Sequence, residues 1–188
     1  MTIAAHRLTA LCLAGLAAGV QAQGSAPGHE ALYAVGALGV TEYGFDCYIF
    51  SCRGGRASAG RVALGYRFGG WSVEAGAVSS GRASTSSSVA SRPGETLRLQ
   101  SAGISLAAYG RWSPSVESVA RIGFASVRHQ RTGEQDNTLS SATLGLGVLV
   151  DIQPRMAVEL AWDYASAEGK DSGTASANAF TVGLRVHF

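Results

Sequence analysis

The chain of 188 residues is poor in charge, and 15% Asp, Glu, Lys and Arg is low for a soluble domain. Its formal net charge of +2, with no basic run, gives no footing for nucleic acid. Proline occurs only four times and histidine four times, so neither a proline-rich linker nor a histidine-rich metal tract is present. Long hydrophobic runs are also missing. Residues 8–20 form one apolar stretch, too short to cross a bilayer as a helix, and nothing after it reaches the ~18 residues a membrane helix needs. Cysteine is nearly absent: Cys12 lies in that first stretch, and Cys47 and Cys52 are the other two.

The first apolar stretch reads as an export signal. His6 and Arg7 precede it, and Val20-Gln21-Ala22 offers a small-x-small cleavage pattern. The expected cut follows Ala22, giving a signal peptide over 1–22, a short periplasmic leader over 23–30 and a barrel over 31–188. Cys12 is a poor lipidation site, because the bulky Leu11 precedes it and the apolar run continues past it. Export without a membrane helix leaves a periplasmic protein, a secreted protein or an outer-membrane barrel.

What the chain has instead is alternation of period two. Val62, Leu64, Tyr66 and Phe68 interleave with Arg61, Ala63, Gly65 and Arg67; Trp71, Val73, Ala75 and Ala77 interleave with Ser72, Glu74 and Gly76. The pattern recurs at Ala102, Ile104, Leu106, Ala108 and Trp112, at Ala120, Ile122 and Phe124, and at Leu144, Leu146, Val148 and Val150. Leu149 is an exception on the opposite face of that last run. Val158, Leu160, Trp162 and Tyr164 continue the series, and Phe180, Val182, Leu184, Val186 and Phe188 close it. A first strand near residues 32–41 is weaker, since both of its faces are small or apolar. These segments predict eight antiparallel strands of roughly ten residues, the length that spans a bilayer at a tilt.

The connections alternate in length. Gly69-Gly70, Ser113-Pro114-Ser115 and Ile152-Gln153-Pro154 are tight turns; between them lie polar segments near 42–58, 79–96, 129–138 and 165–177. Short turns at one end and long loops at the other predict an up-and-down outer-membrane barrel with both chain ends on the periplasmic side. A soluble β-sandwich or lipocalin-like barrel also alternates, but it buries the large apolar face and wets the polar one. Here the second face carries Gly, Ala, Ser, Thr and isolated charges, as a narrow lumen requires. Phe68, Trp71 and Trp112 near the turns, and Phe124, Trp162 and Tyr164 near the loops, predict two aromatic belts.

Three segments carry a resemblance: Gly65-Tyr66-Arg67-Phe68, Trp71-Ser72-Val73-Glu74-Ala75-Gly76, and the last seven residues from Val182 to Phe188. On these the mature chain resembles the eight-stranded OmpA-like family of outer-membrane barrels and its opacity-protein relatives. The resemblance implies an outer-membrane location among outer-membrane lipids and lipopolysaccharide. It also implies that Phe180, Val182, Leu184, Val186 and Phe188 form the signal read by the barrel-assembly machinery. Larger members carry a peptidoglycan-binding domain after the barrel, so wall anchoring is not expected from these residues.

Inward charges are the candidate functional groups. Glu74, Arg121 and Glu159 fall at mid-depth, with Arg61 and Arg185 within reach, and burial demands that they pair. Such a network would plug the lumen, leaving a structural or surface-interaction role; partner exchange within it would instead gate a narrow ion path. Arg67, Arg111, Glu117, Asp151, Arg155 and His187 are expected as a solvated rim at the periplasmic mouth. Cys47 and Cys52 are expected to form a disulfide in the oxidising compartment, since two thiolates without a nearby His fall short of a metal site. The segment over residues 83–89 is of low complexity, suited to a surface loop. Ser126 with His129 is the one pair from which a lipid A hydrolase could be built, and no acid stands beside it. The expectation is a non-enzymatic barrel without cofactor.

Overall fold

In the computed structural model, residues 31–45, 55–84, 96–131, 137–169 and 173–188 are described. Among the described residues nine strands are formed: β1 (Ala31–Phe45), β2 (Arg56–Phe68), β3 (Trp71–Ser80), β4 (Ala83–Ser84), β5 (Thr96–Ser113), β6 (Val116–Arg131), β7 (Asn137–Gln153), β8 (Met156–Gly169) and β9 (Gly173–His187). The two-residue β4 follows β3 and pairs with the same neighbour, β5, so the staves number eight. Every pairing is antiparallel, and the sheet closes through β3 on β5 and β1 on β9. The fold is a closed eight-stranded all-β barrel.

Its strands run from 10 to 18 residues apart from β4, and all but β3 are longer than the ten or so expected. Segments expected as loop belong to strands: β1 extends to Phe45, β2 begins at Arg56, β6 and β7 reach Arg131 and Asn137, and β8 and β9 reach Gly169 and Gly173. The physical reason is that the apolar pattern stops at the bilayer edge while the backbone ladder does not. Past that edge both faces meet water or headgroups, so polar residues there say nothing against a strand. The signal and leader of residues 1–30, and Cys47 and Cys52, lie outside the described residues.

The short turns are as tight as their composition suggests. Phe68 pairs directly with Trp71 across a two-residue turn, in which Gly69 takes φ 60°, a conformation glycine adopts without a Cβ penalty. At the next two turns the ladder slips, between Arg111 and Ser113 and between Asp151 and Gln153.

Orientation follows the alternation. Leu64, Leu146 and Leu184 are exposed on the outside, whereas Glu74 and Arg121 are buried inside. Leu38 is 74% exposed and Arg185 is 0% exposed. The aromatics proposed for the belts, Phe68, Trp71, Trp112 and Phe124, are exposed on the outer face, and Trp162 and Tyr164 are half-exposed with ring centroids 6.3 Å apart. The Trp162 indole donates to Asn178 Oδ1 at 3.1 Å, which leaves its apolar face outward and its N–H satisfied.

The lumen is layered. Near the short turns Ala107, Val119, Leu149 and Ala157 pack together against Tyr109. This explains Leu149: it is apolar and inward because it completes an internal plug. Charges and tyrosines come next, and near the long connections Tyr43, Leu99, Val127 and Ala177 form a second apolar cluster.

Candidate functional site

Five strands contribute the central charges: Arg61 from β2, Glu74 from β3, Arg121 from β6, Glu159 from β8 and Arg185 from β9. All five are buried. Each arginine touches both glutamates. Arg61 reaches Glu74 Oε2 and Glu159 Oε1, both at 2.9 Å. Arg121 Nε lies 3.0 Å from Glu74 Oε2, and its Nη2 donates to Glu159 Oε1. Arg185 Nη2 lies 2.8 Å from Glu159 Oε2 and 3.3 Å from Glu74 Oε1. Planar guanidinium forks suit this shared arrangement, since each presents several donors in a fixed plane to more than one acceptor.

Three arginines against two glutamates leave one positive charge, and Asp163 supplies the balance. Its Oδ2 is 3.6 Å from Arg61 Nε. Arg121, Gly145 and Asp163 fall in one register row across β6, β7 and β8. A Cβ on Gly145 would stand 2.8 Å from Asp163 Oδ1 and 3.3 Å from Arg121 Cβ, so the glycine keeps the space those two side chains occupy. Alternation places Asp163 inward, yet sequence reasoning left it out of the network; its inward parity, two residues past Ala161 on the face of Glu159, was the signal that could have included it.

Three hydroxyl groups extend the cluster toward the short turns. Tyr33 donates to Glu74 Oε1 at 2.6 Å and lies 2.8 Å from Ser72 Oγ and 3.1 Å from the Tyr109 hydroxyl. Arg185 Nη1 donates to Tyr109 at 2.7 Å and its guanidinium stacks 4.2 Å from the Tyr33 ring centroid. Tyr33 was missed as a site residue because it stands on a strand whose faces are both small or apolar, and Tyr109, though its parity puts it inward, was not counted with the charges it meets. Gly65 makes room for Tyr33: a Cβ there would lie 2.2 Å from the ring.

The rim differs from the solvated ring expected. Glu117 is buried and accepts from Arg67 at 2.7 Å and Arg111 at 3.0 Å. Arg67 also stacks over Tyr109, 4.2 Å from its centroid, and His187 sits half-buried with its ring 5.6 Å from that of Tyr33. A charge beside a narrow lumen finds partners across it before it finds bulk water. Asp151 and Arg155 are exposed, as a rim requires.

On the loop side of the charges lies a cavity of about 90 Å³, bordered by Arg121 and Asp163. Arg121 Nη1 and Asp163 Oδ2 lack hydrogen-bond partners. Among the described residues no cluster of His, Cys, Asp and Glu is arranged to hold a metal ion. Ser126 is exposed on the outer face, and the His129 side chain lies outside the described residues.

Residues 8–188 match the outer membrane protein beta-barrel domain family. The chain belongs to that family. Its place is therefore the bacterial outer membrane. Solved barrels of this kind share the fold at low identity. The Neisserial surface protein A (NspA) is 17% identical, with TM-score 0.64 over 84% of this chain and 97% of its own. OprG of Pseudomonas aeruginosa is 12% identical, with TM-score 0.56 over 86% and 98%. Ail, the attachment invasion locus protein of Yersinia pestis, solved with the heparin analogue sucrose octasulfate, is 13% identical, with TM-score 0.52 over 85% and 99%. No curated protein matches the sequence. The family and OprG are both named as outer membrane proteins.

Proposed function

We propose that this barrel is a closed scaffold that presents its extracellular connections at the cell surface, in an adhesin-like role. The observation that carries the reading is the charge cluster in which three arginines each grip both glutamates, rooted on five strands around the lumen. Apolar clusters on either side add to the obstruction. A narrow eight-stranded interior filled in this way has little room for a hydrated path. Planar-bilayer recordings test closure. The wild-type barrel gives no steps above background, whereas replacing Glu74, Glu159, Arg61 and Arg121 by Ser gives conductance; steps from the wild type would overturn it. Display is tested by replacing residues 46–54 and 85–95 with short Gly-Ser turns: surface adhesion of cells carrying the protein falls, and unchanged adhesion refutes the role.

A narrow channel is the second reading. It is favoured by the cavity beside the charges, where Arg121 Nη1 and Asp163 Oδ2 stand ready to take new partners if the ion pairs exchange. The same recordings decide between the two. No catalytic step is assigned, and lipid A mass spectra that change on overexpression would reverse that assignment. The partners fitting the scaffold are the outer-membrane lipids around it and the barrel-assembly machinery, which would read the outward row Phe180, Val182, Leu184, Val186 and Phe188 on and after β9. Four of these are exposed and Val186 is half-exposed.

A further inference from the structure

The cavity on the loop side of the charge cluster has a polar floor, small walls and an apolar cover. Arg61, Glu74, Arg121 and Asp163 border it below, Gly103, Ala125, Gly145 and Ala179 line its sides, and Leu99, Val127 and Ala177 belong to the apolar cluster above. Two polar atoms of the floor residues, Arg121 Nη1 and Asp163 Oδ2, have no hydrogen-bond partner. Neither group reaches bulk water: the Arg121 side chain is 4% exposed and that of Asp163 19%. A buried polar group left unmatched costs about 1–3 kcal/mol, and a charged one more. The space beside these two therefore suits an occupant that answers both.

The two unmatched groups have opposite signs. Arg61, Arg121 and Arg185 stand against Glu74, Glu159 and Asp163, so the interior is already neutral. An anion alone would meet Arg121 and be repelled by Asp163; a cation alone would meet Asp163 and be repelled by Arg121. Either would also leave a net charge buried. A molecule with an anionic and a cationic group meets each with its opposite and adds no net charge. Gly145 stands between Arg121 and Asp163 in their register row, and its lack of a side chain keeps the interval between them open. The cavity of about 90 Å³ equals roughly three waters at about 30 Å³ each, so the molecule must be short.

A way in lies at the same level. Among the described residues the β7–β8 ladder ends at Thr143 opposite Ala165, and its last three rungs, down to Gly145 opposite Asp163, border the cavity. Beyond them β7 continues to Asn137 paired with β6, and β8 continues to Gly169 paired with β9. The two hairpins thus part at the cavity wall, with Ser141 Oγ donating to Ser166 O across the gap. The outward residues of β7 pass here from Leu146 and Leu144 to Ala142, Ser140 and Thr138, so the gap lies above the apolar band. The apolar cluster of Tyr43, Leu99, Val127 and Ala177 obstructs the route along the barrel axis, which leaves the gap as the approach for a polar molecule.

We propose that this cavity binds a small zwitterion, with its carboxylate on Arg121 and its ammonium group on Asp163. The site lies beyond the display reading, and because binding and conductance are measured separately, either can fail without the other. The experiment is equilibrium dialysis of labelled glycine against the refolded full chain in detergent. The wild type takes up one glycine per barrel, while acetate and methylammonium bind at least tenfold more weakly. Asp163→Asn lowers glycine binding tenfold or more, as expected for losing one charge-assisted contact. Ala125→Leu, which fills the cavity from β6 and leaves every charged side chain unchanged, abolishes it. No uptake by the wild type overturns the proposal and leaves water as the occupant. Equal binding of acetate or methylammonium overturns the zwitterion, and wild-type binding by Asp163→Asn or Ala125→Leu overturns the site. Heat-modifiable gel migration verifies that each variant is folded, and Ala125→Leu carries the test if Asp163→Asn fails to fold.

Discussion

Glu159 is where the charge cluster is most exposed to a single substitution. Its carboxylate is 1% exposed and takes contacts from Arg61, Arg121 and Arg185. One such pair near 4 Å at an effective dielectric of about 20 is worth about 4 kcal/mol before desolvation, and desolvation of each ion costs several kcal/mol. Three contacts therefore more than offset the burial of one carboxylate, while the arginines depend on it to offset theirs. Glu159→Gln keeps the shape and removes the charge, leaving three buried arginines facing Glu74 and Asp163. The expected cost is about 3–5 kcal/mol, the range for breaking a buried pair by removing one partner. Unfolding of the barrel in lipid vesicles, followed by urea titration and by gel migration, measures it. A cycle with Arg121→Met separates the pair from the background: the double variant should be more stable than the two single costs predict, by about 0.5–3 kcal/mol. A cost below about 1 kcal/mol, or strict additivity, would refute the idea that these side chains act as one unit.

Three other substitutions probe the remaining layers. Leu146→Arg, on the outer face near mid-depth, should cost roughly 2–4 kcal/mol in vesicle folding, and a negligible cost would mean that the face does not meet lipid. Gly65→Val should destabilise the barrel by about 1–3 kcal/mol because its side chain enters the space of the Tyr33 ring, and Tyr33→Ala in the same chain should recover part of that. Phe188→Ser should lower the outer-membrane level while leaving vesicle refolding near wild type; equal levels would remove this residue from the assembly signal.

The fold was legible because each transmembrane stretch keeps large apolar residues on one parity, as in Val62, Leu64, Tyr66 and Phe68. The lumen charges were legible for the complementary reason. Glu74, Arg121 and Glu159 stand alone on faces otherwise built of Gly, Ala and Ser, and the structure brings them together with Arg61 and Arg185. What alternation could not supply was anything set by contacts across the lumen. Tyr33 and Tyr109 come from strands far apart in sequence, and only closure of the sheet makes them neighbours of Ser72 and Glu74. The rim was misjudged on the same account, since Arg67 and Glu117 are 50 residues apart and nothing local announces their pairing. Strand ends were hidden for a different reason: above the bilayer the two-fold pattern is no longer enforced by lipid.

The seam between β1 and β9 has a further meaning for how the molecule is made. Arg185 stands on β9, which meets β1 at the seam, and its partners Glu74 and Glu159 stand on β3 and β8. With β9 out of register, Glu74 and Glu159 would be left to Arg61 and Arg121 alone, with the Asp163 carboxyl beside them. Docking in the native register delivers the missing cation beneath the Tyr33 ring of the opposite edge. A slip of one residue would turn it outward into lipid. The ring therefore proofreads its own closure, and a misaligned seam is marked by a buried charge that nothing answers.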